Sequence, residues 1–314
     1  MSDIHVVFGT GPLGMAVMSA LIRRNKHVRM VNRSGKEGLP GSVELTSGDA
    51  YNPEFTRQVT NGAAVVYQCA QPGYTRWVKE FPPLQKSILE GAASNNSKLI
   101  VAENLYMYGE VKGPITEDLP FLAKTRKGKV RTEMTNTLME AHHAGKVQVA
   151  IARGSDFFGP GVLGSSLGER TLIPALKGKS AELGGSLDQP HSYTYIDDFG
   201  EAMAILGERE EALGEAWHVP NPPTLTQRQL ISLFFEEIGI PPKMHTIGKT
   251  MMTLGGLFVP EAREMVEMMY EFEKPFVVDS RKFIGAFGDI STPYEKAVNT
   301  TLAWYRTYLD DGRH

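Results

Sequence analysis

The chain has a single cysteine, Cys69, among 314 residues. One thiol forms no intramolecular disulfide, which excludes a disulfide-stapled scaffold and makes a reducing cytoplasm the expected setting. Cys69 lies in the apolar run 63–70 and reads as a small buried hydrophobe rather than a nucleophile. No apolar run approaches ~18 uninterrupted residues, so no membrane-spanning helix is expected. No basic-then-apolar leader is seen before the first strand-like run, so no export signal is expected. The net charge is only −3, so nothing draws the chain towards nucleic acid or an anionic membrane. Repeats and low-complexity tracts are missing too. What remains is ordinary globular composition, 41% hydrophobic and 22% charged. The length exceeds the usual single domain, so one large domain or two intimately packed ones are expected.

Against this plain background one feature stands out. Gly9-Thr10-Gly11-Pro12-Leu13-Gly14 follows the apolar run 4–8 and precedes a helix-like stretch over 15–24. A second strand is expected over 27–31. This is a G-x-G-x-x-G turn inside a complete β-α-β pattern, the arrangement that binds the pyrophosphate of a dinucleotide. Gly9 permits the tight turn, Gly11 lets a phosphate approach the backbone, and Gly14 lets the helix pack on the sheet. The helix N-terminus adds unpaired N–H groups and partial positive charge. Pro12 and Leu13 belong to the same expected contact set, as does Ala70 at the end of the apolar run 63–70.

In such turns an acidic residue about 20 positions on holds the adenosine ribose and favours NAD(H). Here the second strand ends Met30-Val31-Asn32-Arg33-Ser34, with no carboxylate. A guanidinium at Arg33 suits a ribose 2′-phosphate and Ser34 adds a hydroxyl, so NADP(H) is the expected cofactor, with NAD(H) the alternative. Asp49 is either an acceptor for the adenine amino group or a turn residue, since Asn52-Pro53 follows.

Further on, strands are expected over 63–68, 98–102 and 147–152, and helices over 81–94 and 131–144. Continuous apolar strands alternating with helices imply an α/β Rossmann fold, a doubly wound parallel sheet covered on both faces. Ligands then lie at the carboxyl ends of the strands. After Arg153 the texture turns glycine-rich, then helical and methionine-rich from Met251 to Phe272. The expected division is a Rossmann domain over 1–157, rejoined by 190–220, and a smaller, mainly helical substrate lobe from 158–189 and 221–314. The methionines read as a core stripe, with a plastic apolar pocket as the alternative.

Several segments resemble the extended or atypical short-chain dehydrogenase/reductase superfamily, of NAD-dependent epimerase/dehydratase type. They are the glycine turn at 9–14, Tyr108-Gly109, Arg153-Gly-Ser-Asp-Phe-Phe-Gly159-Pro160-Gly161 and Tyr195-Ile-Asp197-Asp198-Phe-Gly-Glu201-Ala202. Asp279-Ser280-Arg281-Lys282 resembles the family's C-terminal Asp-Ser-x-Lys turn. The resemblance spans the chain and implies substrate between a Rossmann domain and a C-terminal lobe. It also implies a Ser/Thr, a Tyr and, four residues on along one helix face, a Lys. The Ser/Thr place falls on Asn104. Aligning Glu133 with the acid that follows the motif puts Thr125 in the tyrosine place and Lys129 in the lysine place. A shift of two puts Lys127 and Arg131 there instead. Neither register contains a tyrosine, which departs from the family pattern. Two literal Tyr-x-x-x-Lys matches, Tyr108 to Lys112 and Tyr270 to Lys274, abut Gly113-Pro114 and Pro275 and are poor helix sites.

The substitutes considered for catalysis are Tyr106 and Tyr108 as general acids beside Lys129, with Asn104 stabilising an oxyanion. Glu103 is a further acid/base candidate. Lys129 also has a cofactor-ribose role. Packing under the cofactor is the alternative for both tyrosines. Arg153, His191 and Tyr193 are expected to line the substrate cleft, against a structural alternative for each. His142-His143 face different sides of a helix and suggest no metal. The expected activity is NADPH-preferring oxidoreduction of a small carbonyl or enone. The alternatives are a nucleotide-sugar epimerase or dehydratase with bound NAD and a non-catalytic NADP(H)-sensing regulator. The expected partner is a small-molecule substrate, with a homodimer left open.

Overall fold

The computed structural model describes residues 4–35 and 38–312. β1 (Ile4–Phe8) leads through α1 (Pro12–Arg23) to β2 (His27–Asn32), β3 (Glu44–Ser47) and α2 (Pro53–Val59). Then come β4 (Ala63–Gln68), α3 (Trp77–Ser94), β5 (Lys98–Glu103), α4 (Arg126–His143), β6 (Val149–Arg153) and β7 (Asp156–Phe158). The middle of the chain forms α5 (Glu169–Leu176), β8 (Ala181–Gly184), β9 (Pro190–His191), β10 (Tyr193–Tyr195), α6 (Ile196–Glu208) and β11 (Ala216–His218). Next are β12 (Leu225–Thr226), α7 (Gln227–Ile238), β13 (Met244–Ile247), α8 (Lys249–Gly255) and α9 (Pro260–Val266). The last elements are α10 (Tyr270–Glu273), α11 (Arg281–Phe287) and α12 (Tyr294–Asp310).

The central sheet has seven strands in the order β11-β6-β5-β4-β1-β2-β3, all parallel. The strands are apolar on both sides because both faces are covered. One face packs Phe81, Ile88 and Leu138 from α3 and α4. The other packs Val17 and Leu21 of α1 against Met203 and Leu206 of α6. Each such fully buried side chain contributes about 2 kcal/mol. Strand order reverses between β1 and β4, which opens a crevice at their carboxyl ends.

Several helix boundaries differ from the expected ones for identifiable reasons. α4 starts at Arg126 rather than 131 because Thr125 caps it, its side chain accepting from Gly128 N at 3.1 Å. α3 starts at Trp77 and carries Pro82 and Pro83 inside it. The carbonyls those prolines leave unbonded belong to Val78 and Lys79, which are exposed and can turn to water. The methionine-rich stretch is three short helices, separated at 256–259 and 267–269, rather than one. Met268 and Met269 are buried there, whereas Met251 is 61% exposed, so no single stripe forms.

A third cluster packs Phe158, Leu172, Leu183, Phe234, Leu302 and Tyr305. It draws on α5, α7 and α12 and lies beyond the carboxyl ends of the sheet strands. α11 behaves differently: its Phe283 and Phe287 pack on Trp217 of β11, against the sheet. Among the described residues no helix is long and apolar enough to cross a membrane.

Candidate active site

A cavity of about 510 Å³ opens along the carboxyl ends of β1, β2, β4 and β5. That is an ordinary ligand-pocket size. The glycine turn forms one end. Gly9 has φ +108, and a Cβ there would meet Ala70 N at 2.9 Å, so only glycine lets the loop after β4 cross it. A Cβ on Gly14 would lie 1.9 Å from Gly9 O, which keeps the turn tight. Gly11 meets nothing within 4 Å and faces the cavity. It is also the N-cap of α1 and provides no side-chain cap, with Pro12 at the first helical position. The first-turn N–H groups of Leu13 and Gly14 are therefore free for an anion.

Beside the turn, Asn32 ties two loops: Nδ2 donates to Thr10 Oγ1 at 3.3 Å and Oδ1 accepts from Gly35 N at 2.8 Å. Arg33 is exposed and stands on the cavity rim. Asp49 also lines the rim, and its Oδ1 accepts from Tyr51 N at 3.1 Å. The helix cap nearby is Asn52, whose side chain accepts from Glu54 N. Ser34 is exposed beside Arg33 and is not part of the cavity wall.

The far end is built by residues from well-separated segments. Tyr74, Asn104, Tyr106, Arg131, Asp156 and Glu271 all face the cavity. The phenol oxygens of Tyr74 and Tyr106 are 3.5 Å apart. Asn104 Oδ1 accepts from Tyr106 N at 3.3 Å, which pins the turn after β5. Burial pushes the Tyr106 phenol well above its usual range, and Tyr74, Glu271 and Asp156 add to that. Burial likewise pushes the Glu271 carboxyl well above its usual range, reinforced by the Asp156 charge. Cys69 is half-buried and lines the cavity rather than sitting in the core, and desolvation pushes its thiol up.

Three side chains on this wall keep polar atoms buried without partners. They are Gln68 (Nε2 and Oε1), Arg131 (Nε and Nη1) and Ser165 (Oγ). Arg131 is 3% exposed, with its guanidinium carbon 4.7 Å from the Trp77 ring and 4.2 Å from that of Phe81. Burial lowers its pKa to about 10, so it stays charged. Orphaned buried donors are costly and mark the place where a ligand supplies the missing partners. Together with the Gly11 cradle they fit a dinucleotide running from the α1 N-terminus to Arg131.

Five sequence expectations need correction here. Lys129 is exposed and does not line the cavity. Residues 127 and 131 share the inward face of α4, and residue 129, two positions from each, points the other way. Lys127 is fully buried, with its ammonium paired to Glu264 and Glu267 and 4.4 Å from the Tyr74 ring centre. Of the two expected registers, it is Lys127 and Arg131 that face inward.

Tyr108 is turned away from the cavity. Its hydroxyl lies 3.0 Å from His218 Nε2 and accepts from Arg153 Nη1 at 2.5 Å. Arg153, 1% exposed, also pairs with Glu103 at 3.1 Å, so it serves this buried network and lines no cleft. Glu103 contributes to the cavity wall, but its side chain is buried, with the carboxylate accepting from Thr135 and Arg153. Burial pushes the Tyr108 phenol up to about 12 and His218 down to about 3, so both are neutral members of that network.

His191 and Tyr193 stand behind the wall. The His191 ring stacks on Phe272 and Phe276, Nδ1 donates to Glu271 O at 3.1 Å, and Nε2 lies 2.9 Å from Asp156 Oδ2. Tyr193 is fully buried and its hydroxyl donates to Gln227 Oε1 at 3.2 Å. His142 Nδ1 accepts from Val149 N, a structural contact.

Sequence reasoning passed over Gln68, Tyr74, Asp156 and Glu271. A polar residue closing the apolar strand 63–68 was a readable signal for Gln68. For Glu271 there was none, because a contact between residue 271 and the β5 turn is purely tertiary.

The sequence model of the NAD dependent epimerase/dehydratase family matches residues 4–219. No curated protein sequence matches the chain. Among solved structures, the chain is similar to an epimerase from Methanothermobacter thermautotrophicus, at 14% identity and TM-score 0.83, over 99% of this chain and 94% of that one. UDP-glucuronic acid 4-epimerase from Bacillus cereus, in complex with UDP-glucuronic acid and NAD, is 18% identical with TM-score 0.78, covering 97% and 99%. UDP-glucose 4-epimerase from Thermus thermophilus, in complex with NAD, is 17% identical with TM-score 0.76, covering 96% and 99%. Identities this low establish a common fold.

Proposed function

The chain belongs to the NAD-dependent epimerase/dehydratase family, and from that premise we propose an NADPH-preferring oxidoreductase acting on a small carbonyl or enone compound. The observation that carries the reading is one cavity joining the bare α1 N-terminus to a wall of phenols, carboxyls and a guanidinium with two unpartnered nitrogens. Leu13 and Gly14 N–H groups would hold the pyrophosphate. Arg33 would meet a ribose 2′-phosphate, with no carboxylate at the end of β2 to repel it. Gln68, Ala70, Arg131 and Ser165 would surround the nicotinamide half.

When bound, the dinucleotide supplies or accepts a hydride at its nicotinamide ring. The chain does the rest. Tyr106, kept protonated by burial, and the Asn104 amide offer hydrogen bonds to a substrate oxygen. Leu105, Phe157, Leu163 and Phe276 supply apolar wall that excludes water from the reacting atoms.

The nucleotide-sugar reading is favoured by the NAD-bound and UDP-sugar-bound structural neighbours. It is weakened by Lys127 standing where that chemistry needs a phenol. The same lysine favours a non-catalytic NADP(H) sensor. Titration of the purified protein with NADPH and NADH, followed by nicotinamide fluorescence, separates them. Tighter NADPH binding with turnover of carbonyl probes supports the oxidoreductase. NAD retained through purification supports the nucleotide-sugar reading, and tight NADPH binding without turnover supports the sensor. Binding of neither by protein free of retained cofactor overturns all three.

A further inference from the structure

The missing tyrosine leaves a proton to be placed, and the segment around α10 is arranged to place it. This inference rests on the oxidoreductase reading. Lys127 turns its ammonium out of the cavity to Glu264 and Glu267. Arg126, on the same turn, donates from Nη2 to Glu264 at 3.1 Å and from its backbone N to Glu267 Oε2 at 2.9 Å. The start of α4 therefore clamps residues 264–267. Glu271 follows four residues later, is 2% exposed, and contributes to the cavity wall. Asp156 of β7 stands on the same wall, held by His191. His191 also donates to the Glu271 carbonyl oxygen and stacks on Phe272, which fixes α10 against β9.

We propose that Glu271, with Asp156 beside it, gives and takes the substrate proton in place of the tyrosine that α4 lacks, and that Lys127 is a positioning residue for it. In the reducing direction the Glu271 O–H bond breaks. Its proton goes to the oxygen of a carbonyl whose carbon takes up a hydride from the reduced nicotinamide, the π pair moving onto that oxygen. The carboxylate left behind regains its proton from water. The groups facing Glu271 are Asp156, Tyr270, Tyr74 and Tyr106, with His191 at its backbone. Burial beside Asp156 favours the acid form of Glu271. Tyr106 is less suited to transfer, because its own proton is held still more firmly by burial and by three acidic neighbours.

The test compares the full chain with Glu271→Gln, Asp156→Asn, Lys127→Met and Lys127→Arg. Three readouts are used: pH-titrated infrared spectroscopy without cofactor, NADPH binding, and NADPH-dependent reduction of phenanthrenequinone. The wild type is expected to show a protonated-carboxyl band at neutral pH that Glu271→Gln lacks. Glu271→Gln is expected to bind NADPH within about twofold of wild type yet turn over about 100-fold more slowly. Wild-type reduction should fall as pH rises and the acid is titrated away, and the residual activity of Glu271→Gln should lack that limb. Asp156→Asn should move the limb to lower pH, since a neighbouring negative charge is gone. Lys127→Met should shift the limb and Lys127→Arg should restore it. A wild type that binds NADPH but leaves phenanthrenequinone unreduced counts against the oxidoreductase reading, and wild-type-like turnover in Glu271→Gln overturns the proposal. So does the absence of the band from wild type, or its persistence in Glu271→Gln. A wild type that binds no NADPH overturns the oxidoreductase reading instead, and the cofactor-free band still decides whether Glu271 carries the proton.

Discussion

The Lys127 ammonium lies 3.2 Å from the Glu267 carboxylate, across 140 residues of sequence. The pair anchors the segment before α10 to the start of α4.

Lys127 should matter to folding as much as to activity. It is fully buried, and Glu264 and Glu267 lose a partner if it goes. Lys127→Met should cost about 2 kcal/mol in urea unfolding, because it leaves the two carboxylates with Arg126 as their remaining cation. Lys127→Met combined with Glu264→Gln should recover part of that loss. A double variant no more stable than the single would show that the pair contributes little.

Arg131 and Lys129 should behave oppositely. Arg131→Gln removes a buried guanidinium with two unpartnered nitrogens, so stability should hold or rise. NADPH affinity should fall about tenfold or more, the loss expected for a charge-assisted hydrogen bond. Lys129→Gln should change neither quantity, since Lys129 is exposed. Fluorescence titration of both variants separates the two registers of α4.

Arg33 stands on the rim, where a ribose 2′-phosphate would sit. Arg33→Ala should weaken NADPH binding about tenfold and leave NADH binding unchanged. Equal loss for both cofactors would mean that Arg33 stacks on adenine rather than selecting the phosphate.

Asp198 gives the fold a pH dependence. Burial raises its carboxyl to about 6, even though Thr292 donates to it from N at 2.8 Å and Oγ1 at 2.6 Å. The folded chain thus binds this proton more tightly than the unfolded chain does. Its contribution is full below the ordinary aspartate value and is lost as pH rises to about 6. Asp198→Asn should therefore gain on wild type by up to about 3 kcal/mol between roughly pH 4 and 6. Paired melting curves across that range check the sign.

Much of this molecule was legible along the chain. The glycine turn, the parallel α/β alternation and the absence of an acid after β2 are local facts. Steric limits at Gly9, periodicity and residue type carry them, and none needs a distant partner. The choice between the two registers of α4 was not local. It depends on which face of the helix turns inward, and that is decided by Glu264 and Glu267, more than 130 residues away. Tyr108 and Arg153 look like site residues in sequence because they sit at strand ends. Buried partners, His218 and Glu103, draw them under the sheet instead. Glu271 carried no sequence signal at all and reaches the cavity only because the segment before it is clamped to α4. The shape of the glycine turn follows from the chain alone, since backbone sterics act within a few residues. Which side chains face the cavity emerges only on folding, because burial and charge pairing act between segments the chain keeps far apart.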